Sequence, residues 1–193
     1  MGQRLNIEIV CEDESLANCY YHWSGYTDSA IALTKQVIEC YEDTTPIISV
    51  ATAVKLLEYT GGGVAWDEKK RIEADPETFK DIKFVDAHNR NDGLISVTQL
   101  GKDETRSWEE ARVTVDLSTE TFTFDVISDD SEADFAYWNE MTSEECKSYC
   151  DKLAECPFDF SAIPFDKIED LEKFVNENPY GAKQDSRVIS WIQ

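Results

Sequence analysis

Positive charge is scarce in this chain: 18 lysines and arginines stand against 40 aspartates and glutamates, a formal net charge of −22 over 193 residues. A field of that sign repels phosphate backbones and anionic lipid, which excludes direct binding of nucleic acid or of an acidic membrane surface as the main activity. Long apolar runs are missing too. No window of about 18 apolar residues could span a bilayer, and MGQRLNIEIV carries no apolar core of the kind a secretion signal needs. Asn6 stands where a myristoylation motif wants Ser or Thr. The expectation is a soluble, cytoplasmic protein. In that reducing setting the six cysteines (Cys11, Cys19, Cys40, Cys146, Cys150 and Cys156) read as free thiols rather than disulfides.

What is present suffices for a core, since 41% of the residues are hydrophobic and 11% aromatic. Leu5, Ile7, Ile9 and Cys11 alternate with polar residues, a half-buried strand, and Leu16 to Trp23 returns beside it after a turn that contains no glycine. Thr27 or Asp28 caps a helix to about Tyr41; a second runs from about Ile48 to Tyr59 and is stopped by Gly61-Gly62-Gly63. Asn91-Asp92-Gly93 reads as a turn before a strand from Leu94 to Leu100. Ala111 to Leu117 and Phe122 to Val126 form the clearest hairpin, one face to the core and the other to water. Thr142 with Glu145 makes a capping box for a helix to about Glu155, and Asp166 to Asn178 forms another. The expected fold is α+β: an antiparallel sheet of about four or five strands packed by helices, with a C-terminal helical pair. Residues 1–127 would form the core domain, and 128–193 an acidic segment plus C-terminal helices, as a separate lobe or as part of the same domain.

The acid is unevenly spread. Between Val113 and Cys146 there is no Lys, Arg or His, while Asp116, Glu120, Asp125, Asp129, Asp130, Glu132, Asp134, Glu140, Glu144 and Glu145 all fall there. Phe135, Tyr137 and Trp138 lie among them, and large aromatic anchors inside a charged rim are what protein-binding surfaces use. The candidate partner-binding residues are therefore Asp125, Asp129, Asp130, Glu132, Asp134, Phe135, Tyr137, Trp138, Glu140, Glu144 and Glu145. The bland alternative is that the aromatics fold into the core and the acids only solubilise. An EF-hand starting at Asp129 finds its Glu at Glu140 but Asp134 where glycine is needed, so no calcium site is expected.

Enzymatic readings are weaker. Cys19 or Cys11 with His22 could form a nucleophile and base for a cysteine-dependent hydrolase, but positions 19 and 22 of a strand face opposite ways. ANCYYHWSGYT, from Ala17 to Thr27, therefore reads as a joint between strand and helix. Cys146 and Cys150 share a helix face without a CxxC pair, which argues against zinc. His88 lies near Asp86 and Asp92 in what also reads as an ordinary polar loop. The glycine run lacks the Lys-Ser/Thr of a phosphate loop. No cofactor, metal site or enzyme activity is expected.

YYHWSGYT at Tyr20 to Thr27, Gly61 to Gly63, NRNDGLISV at Asn89 to Val97, and WEEARVTVDL at Trp108 to Leu117, taken together, resemble small accessory proteins of Gram-positive bacteriophages and mobile elements, over about the first 127 residues. That resemblance implies an inhibitor of host defence, anti-CRISPR-like, acting in the cytoplasm of a bacterial host. Its partner would be a host protein with a basic nucleic-acid-binding surface, such as a CRISPR effector nuclease, whose arginines and lysines spaced carboxylates could occupy. The alternatives are the cysteine-dependent hydrolase and a non-inhibitory interaction protein of a mobile element.

Overall fold

The computed structural model describes residues 4–25, 27–44, 47–65, 84–85, 93–97, 111–126, 142–145, 147–148, 158–159 and 161–177. Strands β1 (Leu5–Cys11) and β2 (Glu14–Tyr21) form a hairpin and are followed by helices α1 (Thr27–Thr44) and α2 (Val50–Tyr59). Then come β3 (Gly62–Ala65), β4 (Phe84–Val85), β5 (Gly93–Ser96), the hairpin β6 (Ala111–Asp116) and β7 (Thr121–Val126), and β8 (Ile163–Pro164). A 3-10 turn, Phe165–Lys167, leads into α3 (Ile168–Glu177).

The α+β class holds, but the sheet is neither purely antiparallel nor limited to four or five strands. Its described strands number eight, in the order β4-β3-β5-β2-β1-β6-β7-β8. The two hairpins are antiparallel, as their periodicity and short turns require. They meet through β1 and β6, which are parallel, and β3 is parallel to both β4 and β5. Parallel neighbours need long connections, and more than ninety positions separate β1 from β6.

Register turns the alternation into rows. Ile95, Cys19, Ile7, Val113 and Phe124 line up across five strands, and Ala17, Ile9, Val115, Phe122 and Ile163 form the next row. All ten are buried, and they share one core with Ile31, Val37 and Ile38 of α1, Val54, Leu56 and Leu57 of α2, and Ile168, Leu171 and Val175 of α3. Residues 161–177 thus belong to the same core as the N-terminal hairpin. Lys35 on α1 reinforces this with Glu169 at 3.4 Å and Glu172 at 3.1 Å on α3.

The opposite face departs from expectation. Arg112 is buried rather than solvated, as are Asn6 and Asn18. Arg112 Nη1 lies 3.6 Å from Glu8 Oε2, so the buried charge has a partner.

The glycines are also used differently. Gly61, at φ +86°, ends α2 just beyond its cap Thr60, but Gly62 and Gly63 already belong to β3. A Cβ on Gly62 would lie 2.7 Å from the Leu57 carbonyl oxygen, so helix and strand approach too closely for any side chain. Gly93 opens β5, where a Cβ would meet Cys19 Sγ and the Tyr21 ring, each at 2.6 Å; the rest of the expected Asn91-Asp92-Gly93 turn lies outside the described residues. The Tyr21 ring therefore lies over the backbone of β5, and its hydroxyl donates to Thr60 Oγ1 at the end of α2. Thr60 Oγ1 in turn donates to Leu57 O at 2.7 Å.

Cys19 and Tyr21 make the fold sensitive to alkali. Burial pushes the Cys19 thiol from 9.0 up to about 12, and burial likewise raises Tyr21 well above its ordinary 10.0. Both are neutral in the folded state, so their contribution is complete below pH 9.0 and is lost as pH climbs towards about 12. The thermal midpoint should fall over that interval, and Cys19→Ala should flatten the first part of the fall in a melting series. An unchanged slope in Cys19→Ala would place the alkaline loss elsewhere.

Candidate functional site

The parallel register of β1 and β6 brings two turns together that are far apart in sequence. Val10 pairs with Asp116, Leu117 N donates to Val10 O at 3.0 Å, and Glu12 N donates to Ser118 Oγ at 3.1 Å. The first turn is the two-residue Glu12-Asp13; the second runs from Leu117 to Glu120. Glu12, Asp13, Glu14, Asp116 and Glu120 thus stand at one pole of the sheet, on strands that lie about 5 Å apart. Among the described residues none of these five carboxylates has an ion-pair partner.

Backbone geometry at this pole is unusual. The described non-glycine residues with positive φ are Glu12 (52°), Asp13 (65°) and Glu120 (54°), all three acidic and all three here. A two-residue hairpin turn with positive φ at both positions favours Asn-Gly or Asp-Gly, because a Cβ crowds the carbonyl in the left-handed region. Asp116 braces the second turn. Its Oδ1 accepts from Ser118 N at 2.8 Å and Ser118 Oγ at 2.6 Å, and its Oδ2 accepts from Thr119 Oγ1 at 2.9 Å. Burial alone would raise the Asp116 carboxyl; the bonds from Ser118 and Thr119 outweigh it and hold the group below its ordinary value.

Neighbouring groups register the negative potential. Cys11 is raised by partial burial and then by Glu12, Asp116 and Glu14. Tyr41, whose hydroxyl donates to Leu117 O at 3.4 Å, is raised by burial and then by Glu120 and Cys11.

Most of the residues selected from sequence, Asp129, Asp130, Glu132, Asp134, Phe135, Tyr137, Trp138 and Glu140, lie outside the described residues, as do Cys146, Cys150, Cys156 and His88. Asp125 sits on β7, opposite Arg112 in register. Glu144 and Glu145 are exposed at the start of a helical segment. Glu145 forms the expected capping box: its Oε2 accepts from Thr142 N and Oγ1, both at 2.8 Å, while Glu145 N donates to Thr142 Oγ1 at 3.3 Å.

The two cysteine-histidine pairs are not brought together. Cys19 faces the core, while His22 Nδ1 meets the Tyr20 hydroxyl at 2.9 Å and its ring packs edge-on against Trp23 at 4.7 Å. Cys11 pairs with Glu14 at one end of the hairpin and His22 follows Tyr21 at the other, about 25 Å away at the usual strand rise. The acidic triplet Glu12 to Glu14 reads from sequence only as a polar turn; its signal was two acids where a tight hairpin turn favours Asn and Gly.

No family model matches this chain, and neither a curated protein nor a solved structure does. Among the described residues no helix is long and apolar enough to cross a membrane, and no group of three or more His, Cys, Asp or Glu is arranged to hold a metal.

Proposed function

We propose that this chain is a non-enzymatic acidic inhibitor, which binds a nucleic-acid-handling protein and covers its basic surface. The observation that carries this reading is the placement of carboxylates at three left-handed backbone positions, Glu12, Asp13 and Glu120, on one pole. Each would be more stable as glycine or asparagine. Charge kept where it costs stability points to use of the charge. The segment from Asp125 to Glu145 extends the same chemistry, with Phe135, Tyr137 and Trp138 as anchors. The phage-type resemblance makes a host defence protein the target, a CRISPR effector nuclease being one that holds nucleic acid in a basic channel, and makes the host cytoplasm the place of action.

Affinity capture from bacterial lysate tests it. The immobilised chain should retain a basic, nucleic-acid-binding protein at about 0.05 M salt and release it by about 0.5 M, because exposed charge pairs are screened over that range. Added duplex DNA should compete. Retention of the same protein at high salt, or indifference to DNA, would sink the proposal.

A further inference from the structure

We infer that a groove beside the acidic pole receives an arginine side chain of the basic partner, an inference that rests on the inhibitor reading above. The groove lies between β8, with the residues before it, and α3, and is an open cleft of about 540 Å³, within the range of about 300–1,000 Å³ typical of ligand-binding clefts. Its lining includes Ile163 and Pro164 of β8 and two half-buried rings, Phe158 and Phe174, which meet edge to face at 6.1 Å between centroids.

The remaining described lining is ionic, with three carboxylates, Asp159, Asp170 and Glu177, and two lysines, Lys167 and Lys173. Lys167 pairs with Asp170 at 3.2 Å and Lys173 with Glu177 at 3.8 Å. Asp159, the third carboxylate among the described lining residues, is braced by Ser161 N at 3.0 Å and Ser161 Oγ at 2.6 Å. The groove also continues the pole: Phe165 N donates to Glu120 O at 2.9 Å, and Pro164 pairs with Thr121.

Aromatic rings beside a fixed carboxylate suit a guanidinium, which stacks flat on a ring and forks onto an acid. Lysine's compact ammonium stays better hydrated and gains less from the rings. A second copy of this chain brings the same −22 charge, and an anionic amphiphile would face the same carboxylates. A basic, arginine-bearing partner is the occupant that charge complementarity favours.

The test uses the full chain with labelled phenylalanine rings, titrated with hexa-arginine and hexa-lysine peptides. Hexa-arginine should bind about three- to tenfold more tightly and shift the Phe158 and Phe174 ring signals; Phe174→Leu should erase that preference by weakening hexa-arginine more than hexa-lysine. Ring signals unmoved by hexa-arginine, or equal affinities for the two peptides, overturn the groove. The inhibitor reading survives that result if Glu12→Lys/Asp13→Lys/Glu120→Lys weakens both peptides. If instead the ring shifts persist and that triple reversal leaves both affinities unchanged, the pole fails. The ring signals of the unsubstituted chain decide between these outcomes even if Phe174→Leu does not fold.

Discussion

The variant Glu12→Asn/Asp13→Gly/Glu120→Gly should melt higher than the parent chain and bind its basic partner at least about a hundredfold more weakly. The two halves of this result have one cause. Residues 12, 13 and 120 have φ of 52°, 65° and 54°, where a side chain costs about 1 kcal/mol or more relative to glycine. Removing the strain, together with the mutual repulsion of the pole, should give about 2 kcal/mol, a rise of roughly 4–8 °C for a chain of this size. The backbone hydrogen bonds that set the turns, Phe165 N to Glu120 O and Leu117 N to Val10 O, do not involve the altered side chains. Loss of binding therefore cannot be charged to lost structure. Differential scanning calorimetry and binding to the captured partner check the two halves separately. A variant that melts higher and binds as well as the parent would move the interface away from this pole.

The pole could not be read from the sequence because local pattern does not specify which strand lies beside which. Alternation of Leu5, Ile7 and Ile9, and of Phe122 and Phe124, identifies the strands and their buried face, since that information lies within a few residues. The Thr142–Glu145 box is equally local, because a capping box acts only on its own helix. The pairing of β1 with β6 is different. It joins residues 106 positions apart, as in the Glu12 to Ser118 bond, and nothing in either strand favours parallel over antiparallel pairing. Gly62 misleads for a related reason: glycine most often marks a helix stop or a turn, whereas here the close passage of the Leu57 carbonyl requires it within a strand. The acidic window from Asp116 to Glu145 is legible as composition, but composition does not reveal that Glu12, Asp13 and Glu14 join its beginning in space.

Phe122→Ala should be among the most damaging single substitutions in the described core, costing about 3–5 kcal/mol. Phe122 is fully buried between Val115 and Ile163 in its row, with its ring edge against Phe124 at 5.5 Å between centroids. Alanine leaves a cavity that strand backbones fixed by their ladders cannot close, so the transfer loss and the void add. A domain of this kind has about 5–15 kcal/mol to lose, which makes the drop in urea midpoint large at unchanged slope. Phe122→Leu keeps most of the volume and should cost about 1 kcal/mol. The position also links the core to the proposed arginine groove, because β8, one wall of that groove, is held on the sheet by the Phe122 to Ile163 pairing. Loosening it should broaden the Phe158 and Phe174 ring signals and reduce hexa-arginine preference while the Glu12-Asp13 turn, at the β1–β2 end of the same pole, still binds hexa-lysine. If Phe122→Ala instead weakened both peptides equally, the groove and the turn would be one surface rather than two neighbouring ones.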